Sequence, residues 1–94
     1  MTPKQETALK QIAVALDALV AELSKADRDL VAKRTTLNGF RLQLEKMSAD
    51  IEANNMPPKN ERRGGMGRVV VDSWSLTHPL GEKIIMAERA YLEL

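Results

Sequence analysis

Three arginines, Arg62, Arg63 and Arg68, bracket the stretch Gly64-Gly65-Met66-Gly67. Glycines let backbone N–H groups approach an anion closely, and arginines supply paired guanidinium donors. That is the chemistry of a phosphate contact, with RNA, DNA or a nucleotide as the ligand. From Met56 to Arg68 the chain carries four basic residues and one acidic residue, against 14 and 13 over the whole sequence. The order is nevertheless wrong for the known phosphate loops. A Rossmann fingerprint follows a strand and opens a helix. Here the glycines come before the strand-like segment, and no Gly-Lys-Ser/Thr is present. A solvated linker is the simpler reading.

The remaining reactive side chains are sparse. His78 is the only histidine, with only Asp72 close in sequence, and it sits beside Pro79 at a helix start. A structural or merely exposed role fits it better than catalysis. Trp74 is the only tryptophan. Tryptophan is enriched at binding hot spots, but a lone one in a small domain more commonly anchors the core. No Ser/His/Asp set and no metal-ligand spacing can be argued, so no enzyme, cofactor or metal is expected. There are no cysteines, which removes disulfides and thiolate ligands and fits a reducing compartment. The near-balanced charge creates no global field toward nucleic acid or an acidic membrane. The N-terminus has no apolar signal core, and no apolar run approaches the roughly 18 residues that span a bilayer. A cytoplasmic protein without a membrane partner is the expectation.

The elements that would position these groups are dominated by one pattern. Leu9, Leu16, Leu23, Leu30, Leu37, Leu44 and Ile51 recur at every seventh position. Ile12, Leu19, Phe40 and Met47 belong to a second series offset by three, which Ala26 and Lys33 interrupt. Together they form the a/d seam of a coiled coil, which must bury itself against another helix. Thr2-Pro3 marks the start. Ala8, Ala13, Ala15 and Val20 widen the apolar stripe at the N-terminal end, enough for a third helix.

One segment resists. Thr35-Thr36-Leu37-Asn38-Gly39 places four weak helix formers in five positions, a penalty of about 2–3 kcal/mol relative to alanine. The chain either continues as one helix over 4–54 or folds into an αα-hairpin at 35–39. Preserved heptad phase favours the continuous helix. Such a helix is about 75 Å long, far beyond a globule of this size, whose radius of gyration is about 12 Å. Continuity therefore implies an oligomer, most simply a homodimer. Asp29 and Arg34 would pair across a parallel dimer, but Glu22 and Asp27 would repel each other there, so neither orientation is favoured; Lys33 would set register or snorkel to the edge of the seam.

Beyond residue 54, Pro57-Pro58 and the glycines make a flexible basic loop over 55–67. Arg68 to Trp74 carries three consecutive valines and is expected as a short extended segment. A C-terminal helix over 78–94 follows, with Thr77 as its cap, Pro79 in its first turn, and Leu80, Ile84, Ala87, Tyr91 and Leu94 at 3-4 spacing. It would fill the wide face near Ala13 and Val20.

The expected fold is thus all-α and a single domain, 1–94: a long coiled-coil helix or hairpin, a basic glycine-rich loop, one short extended segment and a terminal helix. The expected function is non-enzymatic protein–protein interaction, as a small adaptor, regulator or inhibitor, in the manner of a bacterial or phage accessory protein. The leucine seam would be its oligomer interface, and Arg62, Arg63, Arg68 and Trp74 a second contact with an unidentified protein. The alternatives are nucleic-acid or nucleotide binding by the arginine loop, and a structural oligomer of a phage or secretion assembly.

Overall fold

The first helix, α1 (Pro3–Leu23), starts where Thr2-Pro3 places it. The Thr2 hydroxyl accepts from the Gln5 N–H at 3.1 Å, and the Thr2 N–H donates to the Gln5 side chain at 3.0 Å. This reciprocal cap satisfies donors that have no partner inside a helix. The computed structural model describes residues 1–62, 64–74 and 78–94. Among them the chain forms α1, α2 (Arg34–Glu52), α3 (Met66–Ser73) and α4 (Pro79–Leu92), and no strand.

The seam does not run on as one helix. The chain turns between Leu23 and Arg34, just upstream of the 35–39 segment that weak propensity marks for a hairpin. Thr35 to Gly39 are helical, in the first turns of α2. Leu37 and Phe40 are buried there, and each buried side chain of this size contributes about 1.5–3 kcal/mol. That outweighs the propensity penalty. The turn falls instead where the seam is weakest, from Ala26 to Lys33. Arg34 locks it by donating to the Leu23 carbonyl at 2.8 Å, the Lys25 carbonyl at 3.2 Å and the Asp27 carboxylate at 2.6 Å. So Arg34 pairs with Asp27 of its own chain rather than with Asp29 across a dimer. Lys33 precedes α2 and is exposed. The described molecule measures 40 × 23 × 21 Å, with a radius of gyration of 13.1 Å.

The second correction concerns 68–74. The expected extended segment is helix α3, and only Trp74 has extended backbone. Met66, Val70 and Trp74 recur at intervals of four and are all buried, while Val69 and Val71 are exposed. Helical spacing of three large apolar residues overrode the β preference of the valines.

The connection between α2 and α3 begins with a hydrogen-bonded helix end. After Glu52 the chain ends α2 with Asn54 in the left-handed region, at φ 53°. The Asn54 N–H donates to the Ile51 carbonyl and the Asn55 N–H to the Asp50 carbonyl, a Schellman closure. A short 3-10 turn, Lys59–Glu61, follows.

Helix α4 packs antiparallel along α1, with Lys10 to Val14 level with Lys83 to Met86 and Pro3 to Thr7 level with Ala90 to Leu94. It covers the Ala8, Ile12, Ala15 and Leu19 face; Ala13 and Val20 remain exposed. The anticipated third helix is therefore present, seated on the other flank of the stripe. Its cap is His78, whose Nδ1 accepts from the Leu80 N–H at 3.2 Å. Thr77, the cap expected from sequence, lies outside the described residues. Helix α3 lies against α4 at Gly81, where a Cβ would come within 2.7 Å of the Val70 side chain.

Candidate functional site

The glycine-rich stretch does bring backbone N–H groups to an anion, and the anion belongs to the chain itself. Glu88 projects from α4 and is only 8 % exposed. Its carboxylate accepts from the Met66 N–H at 2.9 Å and the Gly67 N–H at 3.1 Å. Both donors sit in the first turn of α3, where N–H groups lack helical partners and the dipole is positive. Gly65 has φ +132°, and a Cβ on Gly64 would stand 3.1 Å from the Glu88 carboxyl carbon. The two glycines thus supply the backbone path and the clearance that let α4 cap α3.

Arg62 and Arg68, the two described arginines of the loop, point different ways. Arg62 turns inward, donating to the Pro57 carbonyl at 2.8 Å and, at a longer 3.4 Å, to the Tyr91 carbonyl. Its guanidinium lies 5.7 Å from the centre of the Tyr91 ring, within cation–π range. Burial and the neighbouring Asp50 carboxylate raise the Tyr91 hydroxyl above its ordinary 10.0, and Arg62 and Lys46 only partly offset this. Arg68 points outward from α3, loosely paired with Asp72 at 3.8 Å. Arg63 lies outside the described residues.

Trp74 is a core residue, with its ring 5.9 Å from Phe40 and edge-on to His78 at 6.0 Å. The seam residues divide in two. Ile12, Leu19, Leu37, Phe40, Leu44, Met47 and Ile51 lie inside the chain's own core. Leu9, Leu16, Leu23 and Leu30 are half-buried at its edge. The seam therefore closes within one chain, between α1, α2 and α4. Among the described residues no group of three His, Asp or Glu side chains could hold a metal ion, and no helix is long and apolar enough to cross a membrane.

A second buried carboxylate, Glu22, closes the α1–α2 turn. It accepts from the Val31 N–H at 2.8 Å and from the Lys25 ammonium at 2.9 Å. Burial pushes its pKa up, but the Lys25 and Val31 hydrogen bonds, with the charges of Lys25 and His78, outweigh this and hold it below the ordinary 4.5.

Among the depressions these internal contacts leave open is a groove between α1 and α4. Val14 and Met86 are 50 % and 53 % exposed on its floor, with Lys10, Gln11 and Lys83 around them. The depression holds about 230 Å³ and is followed by a second of about 250 Å³ lined by Pro3, Lys4, Thr7, Ala90, Glu93 and Leu94. The leucine seam gives no sign of this site. The available signal was Val14 at the outermost heptad position, and Met86 off the α4 stripe. The chain matches no protein-family model and no curated protein.

Proposed function

We propose that the chain is a non-enzymatic interaction protein, an adaptor or regulator that recognises a partner protein through an outward helix face. The observation that supports this most is the exposed Val14–Met86 pair. The leucine seam is already occupied within the chain, so these two apolar side chains add nothing to the core and lie in a groove between helices. A contiguous exposed apolar patch rimmed by polar residues marks a contact site where single exposed apolar residues do not, and Val14 and Met86 line one depression together. The recognition surface is thus α1–α4, rather than the seam itself. Anion binding by the arginine loop draws less support, because Arg62 and the Met66 and Gly67 N–H groups are engaged by the chain's own atoms.

Site-specific photo-crosslinking in the cells that make the protein tests the reading. A crosslinker at Val14 or Met86 is expected to give a discrete protein adduct, and one at exposed Glu45 on α2 is not. Absence of adducts at both groove positions, or equal yield at Glu45, would refute it.

A further inference from the structure

We infer that the α1–α4 groove docks an acidic amphipathic helix of the partner protein, an inference that rests on the interaction reading above. Shape, floor and rim each bear on the occupant. The groove follows α1 from Pro3 to Val14, about 17 Å at helical rise, and its two depressions lie end to end along it. That length matches about three turns of a helix laid along a helical pair, with apolar anchors at i, i+4 and i+7. The floor is made by Val14, Met86 and Ala90. Methionine at its centre is flexible and polarisable, and adapts to varied apolar side chains.

The rim identifies the charge of the occupant. Lys4, Lys10 and Lys83 line the two depressions, and Glu93 is their one acidic side chain. None of the three lysines forms an ion pair among the described residues. A helix with carboxylates flanking its apolar stripe would place them against these ammonium groups. A basic helix would meet like charge, which costs affinity and slows encounter. A lipid surface fits less well, because the site is a concave furrow with only two large exposed apolar side chains, too few for interfacial insertion.

The test uses the full isotope-labelled chain and a designed helical peptide with leucines at i, i+4 and i+7 flanked by glutamates. A twin peptide has every glutamate replaced by lysine. The acidic peptide is expected to move amide signals of Lys10 to Val14 and Lys83 to Ala90, and to bind at least about tenfold more tightly than the twin. In K10E/K83E the preference should reverse, a gain for the twin that an unfolded variant would not show. M86S should weaken both peptides. Equal binding of the two peptides, or signals moving elsewhere, overturns the inference. So does stronger binding to vesicles of equimolar phosphatidylserine and phosphatidylcholine that K10E/K83E abolishes. Self-association of the chain through this groove, seen by sedimentation and removed by Met86→Glu, overturns it too. If charge discrimination fails while crosslinks at Val14 and Met86 persist, only the acidic-helix inference falls. Loss of the crosslinks removes the interaction reading as well.

Discussion

Glu22 and Glu88 are buried carboxylates that do the same job at two different connections. Each accepts backbone N–H groups that helix ends or turns leave without partners. Glu22 does so locally, nine residues from Val31, with Lys25 beside it to balance its charge. Glu88 reaches back 21 and 22 residues to Gly67 and Met66, and its two partners are both backbone donors. The α1–α2 turn is thus secured by contacts that can form early and close by, with Arg34 as a second clasp. Among the described residues α3 has only the loose Arg68–Asp72 pair as local side-chain support. It is a helix of eight residues, too short to persist alone, and it depends on α4 for its cap and its apolar contacts. One corner of the molecule is held by contacts close in sequence, the other by contacts that span 21 and 22 residues.

Several substitutions would break or sharpen that contrast. Glu88→Ala should have the largest effect, lowering stability by about 3 kcal/mol, since it strands one buried and one part-buried N–H donor. Urea unfolding measures the loss. Hydrogen exchange should show the amides of α3 opening first while α1 and α2 stay protected; uniform deprotection would mean the two regions are not separable. Gly65→Ala should follow at about 1–2 kcal/mol, because a side chain at φ +132° is strained. Its effect should again concentrate in α3. Glu22→Gln should remove about 1 kcal/mol, as the amide keeps an acceptor for Val31 but loses the Lys25 charge.

The smallest effect is in pH. The folded Glu22 carboxyl titrates below its unfolded value near 4.5, so the unfolded chain takes up the proton first as acid is added. Its contribution is complete above that pH and disappears as pH falls through the folded value. The stability gap between wild type and Glu22→Gln should therefore be widest near neutrality and shrink below about pH 4.5. A gap that widened in acid would show that Glu22 is not held ionised by its partners. Tyr91 works in the opposite direction, losing its contribution as pH rises past 10.0.

Part of this is legible in the sequence. The Thr2-Pro3 start, the apolar stripe of α4 and the all-α class follow from periodicity and capping, which act within a few residues. The hairpin was visible as an alternative, but its position was not. Preserved leucine phase across Leu23, Leu30 and Leu37 suggested continuity, while the true break was marked only by Ala26, Lys33 and a run of polar residues. Phase reports where apolar residues stand along the chain and is silent on whether the chain reverses between them. The valines at 69–71 misled for a related reason. Their β preference is local, and Met66, Val70 and Trp74 together offered a helix a better buried face.

The groove was hidden more deeply. Val14 and Met86 are 72 residues apart and become neighbours only when α4 lies antiparallel on α1. By itself the sequence determined the all-α class, the start of α1 and the apolar stripes of α1 and α4, because spacing and caps are properties of short stretches. Tertiary structure alone decided that the seam would close on its own chain, that Glu88 would fill the glycine loop, and that a lysine-rimmed furrow would be left open. Those outcomes depend on which apolar faces compete successfully for one another, and that competition is settled by packing across the whole chain.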